Sequence, residues 1–184
     1  MTAPRRPNLG RSAAQANRRA LLAAAVEVFA EGGIDAPLSA VARRAGVGQG
    51  SLYRHFPDRI SLAMAVFEEN VARLESLATD PTCTLDGMLA TITRMVINSV
   101  AFVDLVMAGG AEPRLDAINE RVRATLAGPL AAARRAGRIR ESVGLDDLML
   151  AIGMIAAIVA RTPAADRRAT ADSGWALLNR ALRP

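Results

Sequence analysis

Apolar positions recur along this chain at helical spacing and almost nowhere at the alternating spacing of a strand. From Ser12 onward, Leu22, Ala25, Val26 and Phe29 fall at i, i+3, i+4 and i+7, one face of an amphipathic helix that Gly32 and Gly33 should stop. A short helix is expected over residues 38–45, with Leu38, Val41, Ala42 and Ala45 on its inner side and Gly46 at its end. Val47 and Gly48 lead to a third over residues 49–56, whose Leu52 and Phe56 face inward and which Pro57 breaks. Asp58 stands where an N-cap belongs, and a long fourth helix follows over about 59–77, with Leu62, Val66, Val71 and Leu74 on its apolar side. Residues 79–84, with Asp80 and Pro81, read as a linker.

Beyond the linker the helical period resumes. Leu85, Leu89, Ile92, Val96 and Val103 form a stripe over 85–107, and a further helix covers roughly 114–136, interrupted or kinked where Gly128 precedes Pro129. A turn at 137–144 separates it from two last helices, 145–161 and 166–182. The pattern is that of an all-α chain in which a three-helix head is joined by one long helix to a helical body. The head is expected over residues 1–60, with 1–11 as a basic arm, and the body over 61–184.

Composition agrees with close helix packing. The chain of 184 residues is 51% hydrophobic and 22% charged, an ordinary globular balance, but only 3% aromatic. Its core must therefore come from Leu, Ile, Val, Met and the many alanines that let backbones approach. The charge is unevenly placed. All 23 basic residues are arginine, and residues 1–60 hold nine of them against Glu27, Glu31, Asp35 and Asp58, while the rest of the chain balances to zero. A head that carries all the net charge is suited to meeting a polyanion.

Other chemistries find little support. The lone Cys83 and single His55 form neither a disulfide framework nor a metal site, and there is no Gly-rich phosphate loop. No catalytic residue, cofactor or metal is expected. The longest apolar run, residues 148–160, is 13 residues long and short of the roughly 20 needed to span a bilayer. No membrane partner follows, and a cytoplasmic location is expected.

Two short helices joined by a glycine-containing turn in a basic context form the pattern of a DNA-binding helix-turn-helix, although other compact three-helix units produce it too. The wording of residues 38–59, LSAVARRAGVGQGSLYRHFPDR, goes further. It resembles the head of TetR-type transcriptional regulators, whose usual run is A-G-V-S-x-G-T-L-Y-x-H-F. The long leading helix ending in F-A-E-G-G and the overall length fit that family as well. The resemblance covers about the first 70 residues and implies a DNA-binding regulator, a repressor by family habit, released from a palindromic operator by a small apolar effector.

It also implies roles for named residues. Gly46 permits the turn, and Val47, Leu52 and Phe56 pack the recognition helix. Gly50 leaves that helix thin enough for a phosphate to approach its amides. Ser51 and Tyr53 hold hydroxyls where the family touches the DNA backbone. Gln49, Arg54 and His55 are placed to reach base edges, glutamine favouring adenine and arginine guanine. His55 fits equally well as a half-buried histidine of the head. Arg59 stands where the family has lysine against a phosphate. Ser39, Arg43 and Arg44 flank the groove from the second helix, or the two arginines are only a solvated face. Arg5, Arg6 and Arg11 suit a minor-groove arm. The chain departs from the family wording at Gly48, Pro37 and Ala40, where serine, threonine and a charged residue are common.

For the body the family implies an effector cavity and a homodimer. Met64, Met88 and Met95 suit an adaptable pocket, with Arg94, Asn98 and Ser99 as orienting groups. Leu148, Ile152, Ile155 and Val159, then Trp175 and Leu178, are the expected dimer surface on the last two helices, with internal core of a monomer as the alternative. The rival class is a helical protein- or lipid-surface interaction module without specific DNA binding. The expected partners are double-stranded DNA, a second copy of the chain and a small-molecule effector.

Overall fold

The computed structural model describes residues 9–32, 35–100 and 113–184. Among these residues there are eight helices and no strand. The head is built from α1 (Leu9–Gly32), α2 (Leu38–Arg44) and α3 (Gln49–His55). Its core gathers Leu21, Leu22, Ala25 and Phe29 of α1, Leu38 and Val41 of α2, Leu52 of α3 and Phe56 just beyond it. Leu52, only 1% exposed, illustrates the driving force, since full burial of such a side chain contributes about 1.5–3 kcal/mol.

The long α4 (Arg59–Ala78) opens on the Asp58 cap, whose carboxylate accepts the Ser61 amide at 2.6 Å. It belongs to both halves of the molecule. Leu62, Ala63, Ala65 and Val66 complete the head core, Met64 and Val71 pack with Ile118, and Leu74 enters the body core. The two ends of this one helix therefore lie in different cores. The linker after it is held by Asp80, whose Oδ1 accepts the Thr82 amide and hydroxyl at 2.8 and 2.7 Å.

The body comprises α5 (Leu85–Asn98), α6 (Pro113–Arg135), α7 (Leu145–Ala160) and α8 (Arg167–Leu182). Thr84 caps α5 by accepting the Gly87 amide at 3.1 Å. α5 ends at Asn98; the expected continuation to Met107, and Val103 with it, falls largely on residues 101–112, outside those described. Of the basic arm expected at 1–11, residues 1–8 lie outside them too, whereas 9–11 belong to α1, which begins three residues earlier than expected. α6 corrects one expectation, because it runs through Pro129 without interruption. Leu126 before the proline and Leu130 and Ala133 after it are all buried in the body core, and that packing offsets the one lost backbone hydrogen bond.

The body core joins Leu85, Met88, Leu89 and Ile92 of α5 with Leu126 and Leu130 of α6, Leu148 and Ala151 of α7 and Leu182 of α8. α4 is clasped to α6 by a two-pronged pair, Arg121 Nε and Nη2 donating to the two Glu75 oxygens at 2.8 and 2.7 Å. The Trp175 indole N–H donates to Thr93 Oγ1 at 2.8 Å and so ties α8 to α5. No helix among the described residues is long and apolar enough to cross a membrane.

Candidate nucleic-acid interface and body cleft

The turn between α2 and α3 is set by one backbone sign. Gly46 has φ +65°, the left-handed conformation that side chains disfavour. With Ala45 as the last half-helical residue, the Gly46 amide returns to Arg43 O at 3.2 Å and the Val47 amide to Ala42 O at 3.0 Å. This paired arrangement ends a helix and satisfies its orphan carbonyls. Val47 then packs on the head core, and Gly48, extended at φ −61° and ψ 143°, offers its carbonyl to the Ser51 and Leu52 amides that begin α3.

That entry fixes which side of α3 faces out. Leu52 and Phe56 are buried, whereas Gln49, Gly50, Tyr53 and Arg54 are exposed, Tyr53 by 51%. The side chains of Gln49, Tyr53 and Arg54 make no hydrogen bond or ion pair with another described residue. An added Cβ at Gly50 would meet nothing within 4 Å, so the chain's own packing does not demand glycine there. Ser51 and His55 are half-buried. The His55 ring lies 6.1 Å from that of Phe56, itself covered by the Arg18 guanidinium at 5.6 Å. His55 therefore belongs partly to the head's packing.

The flanking residues divide. Arg43 is exposed and Ser39 half-buried. Arg44 is committed inward, its two terminal nitrogens donating to Glu27 at 3.0 Å and Glu31 at 2.8 Å and so riveting α2 to α1. The same contact holds the Glu31 carboxyl below its usual range. Arg59 reaches back to the Asp35 carbonyl at 3.4 Å and braces the α1–α2 connector. Neither tie is visible in the sequence, because each joins residues 13 to 24 positions apart.

In the body, four of the six expected pocket residues converge. Arg94, Met95, Asn98 and Ser99 line an open cleft of about 410 Å³ together with Val26 of α1 and Asn70, Arg73 and Leu77 of α4. It lies between α1, α4 and α5. Met64 and Met88 are not part of it; each is 1% exposed and packed into a core. Methionine spacing alone did not separate core from cavity. Among the described residues no group of three or more His, Cys, Asp and Glu is placed to hold a metal.

Comparison with known proteins bears on both halves. Residues 21–67 match the model of the bacterial regulatory proteins of the tetR family. A TetR transcriptional regulator from Streptomyces coelicolor is 34% identical, with 91% of this chain and 98% of that one covered and a TM-score of 0.69. The chain belongs to the TetR family. A second TetR regulator, from Mycobacterium vanbaalenii, is 31% identical over 82% of this chain and 96% of its own, with a TM-score of 0.61. A gamma-butyrolactone receptor, at 22% identity, 93% and 90% coverage and a TM-score of 0.58, shares the fold. A comparison with curated proteins gave no match.

As a TetR-family protein the chain is a DNA-binding transcription regulator, with a helix-turn-helix head on a helical body. Burial divides the residues expected as a dimer surface on the last two helices, and for three of them it fits the alternative of internal core. Leu148, Ile155 and Val159 are at most 3% exposed and point into the chain's own core, and Ile152, Trp175 and Leu178 are half-buried. The outward stripe is Leu150, Met154 and Ile158, exposed by 65, 51 and 49%, joined by Leu177 of α8 at 65%. Sequence periodicity did not separate this exposed side from the buried one because α7 is apolar all round. The spacing of i, i+4 and i+8 on its second face was the available signal.

Proposed function

We propose that this TetR-family regulator is a homodimeric repressor that reads a palindromic operator through α3 and is released by a small effector bound in its body. The observation that carries the reading is the outer face of α3, where Gln49, Tyr53 and Arg54 stand exposed with no partner in the described chain. Such a face suits a major groove: Arg54 and Gln49 for base edges, Tyr53 and Ser51 for phosphates, and Gly50 for close approach of the backbone. Arg43 follows the groove from α2. Arg44 and Arg59 act chiefly by holding the head in shape, Arg59 with its charge beside the first turn of α4. His55 contributes through packing.

Residues 1–60 work as the reading head and 61–184 as the sensing and dimerising body, with α4 transmitting between them. The exposed stripe of Leu150, Met154, Ile158 and Leu177 is the dimer surface, because an apolar face of this kind is covered most economically by its own two-fold copy. A dimer with fixed spacing of its two α3 helices matches half-sites about one helical turn apart, roughly 34–36 Å. An effector that shifts α4 changes that spacing and lowers operator affinity. The protein acts in the cytoplasm on double-stranded DNA. Footprinting of the purified protein on DNA upstream of its own coding sequence is the test. Protection of a symmetric site supports the reading; protection without sequence preference at every salt concentration refutes it.

A further inference from the structure

Most arginines near carboxylates in this protein are firmly paired. Arg44 holds Glu27 and Glu31, Arg121 grips Glu75 with two short bonds, and Arg123 meets Asp146 at 2.6 Å. Arg73 and Arg94 break this habit while lining one cleft. Arg73 touches Glu69 only at 3.7 Å and its side chain is 66% exposed. Arg94 donates a long 3.4 Å bond to the Thr91 hydroxyl one turn back. Among the described residues no aspartate or glutamate lines the cleft. Two guanidiniums from different helices thus line one concavity, and the one carboxylate in contact with either, Glu69, lies outside its lining.

The rest of the lining is of two kinds. Val26, Leu77 and Met95 give an apolar side, whereas Asn70, Asn98 and Thr91 offer neutral hydrogen-bonding groups. We propose that this cleft binds an amphipathic organic anion, with its carboxylate or phosphate head between Arg73 and Arg94 and a short apolar body along Val26, Leu77 and Met95. Its volume of about 410 Å³ falls in the range of small-molecule sites, roughly 300–1,000 Å³. Guanidinium donors favour both kinds of oxyanion through paired hydrogen bonds. The site differs from a purely apolar pocket in that charge, not only shape, selects the occupant. It also spans the junction, since Val26 lies in the head's α1 and Arg94 in the body's α5. An occupant therefore touches both sides of the joint that α4 bridges. This deepens the effector reading above, yet binding itself depends on no property of the DNA.

The experiment is calorimetric titration of the full-length protein, free of DNA, with octanoate, octyl phosphate and the uncharged octanol. The two anions separate a carboxylate from a phosphate source, and octanol reports the apolar contribution alone. At least one anion should bind about tenfold or more tightly than octanol, as charge-assisted hydrogen bonds to two arginines imply. The Arg73→Gln/Arg94→Gln double variant should lose that advantage while binding octanol as before, with its helical circular dichroism retained. Met95→Glu, which places a negative charge in the cleft and leaves both arginines intact, should weaken the anion by more than it weakens octanol. The proposal is overturned if neither anion binds at millimolar concentration, if octanol binds as tightly as the better anion, or if that anion binds both variants as it binds the wild type. Because no DNA is present, failure here leaves the operator reading standing, and failure of footprinting leaves this result standing.

Discussion

Replacing Gly46 by alanine isolates the turn that aims α3. The backbone there has φ +65°, and a Cβ built on it meets no atom within 4 Å, so the substitution adds no clash with neighbours and only a conformational cost. For an L-residue in the left-handed region that cost is about 1–2 kcal/mol. At roughly 2–4 °C per kcal/mol for a protein of this size, Gly46→Ala should lower the melting temperature by about 2–8 °C. Gly48, two residues on, is the internal control. Its φ of −61° and ψ of 143° suit any residue, its Cβ direction is also open, and it caps α3 without a side chain. Gly48→Ser should therefore gain a few tenths of a kcal/mol, about the serine advantage at an N-cap. Urea unfolding followed by far-ultraviolet circular dichroism measures both, and titration of labelled operator DNA measures the effect on recognition. Gly46→Ala should weaken operator binding, because it disturbs the two bonds from Gly46 and Val47 that fix where α3 begins. Equal stability changes for the two variants, or a Gly46→Ala protein as stable as the wild type, would refute the argument.

Other expectations follow from the same geometry. Asp58→Ala removes the α4 cap and should cost about 1 kcal/mol at neutral pH. Hydrogen bonding from Ser61 lowers the Asp58 pKa, so the capping contribution is full above the unfolded-chain value and fades as pH falls through the lower folded one. The stability gap between variant and wild type should close in strong acid, and a gap independent of pH argues against the cap. Ile158→Asp with Met154→Asp puts charge on the outward face of α7 and should yield a monomer in sedimentation with normal helicity; an unchanged oligomeric state would assign that face another role. Arg54→Ala should alter operator preference, whereas Arg44→Ala should lower head stability and depress affinity for all sequences alike. Selection from randomised DNA distinguishes the two, and identical preferences for Arg54→Ala and wild type contradict the assignment.

Local signals carried most of the helix boundaries. Gly46, Pro57 and Asp58 act within a few residues of where they stand, so the ends of α2, α3 and the start of α4 were legible, as was the inward placement of Leu52 and Phe56. What depends on distant partners was not. The ties of Arg44 to Glu27 and Glu31 and of Arg59 to the Asp35 carbonyl join distant positions, so sequence spacing gave no sign of them. α7 shows a different limit. A helix with apolar residues on every side has no preferred face by periodicity, and only packing against the body reveals that Leu148 and Ile155 turn inward while Leu150 and Met154 turn out. Pro129 was read as an interruption or kink because local backbone rules say so; the helix is not interrupted there, and the buried residues on both sides of it carry it through.

The account stands on the outer face of α3 being the surface that reads sequence. Its most direct test compares wild type with a Gln49→Ala/Tyr53→Ala/Arg54→Ala variant on a footprinted operator and on random DNA of equal length. All three side chains are exposed, so the variant should keep its fold and its melting curve. It should bind both DNAs alike, at the wild type's random-DNA affinity or weaker. A correctly folded triple variant that still prefers the operator as strongly as the wild type does would place recognition elsewhere and contradict the account.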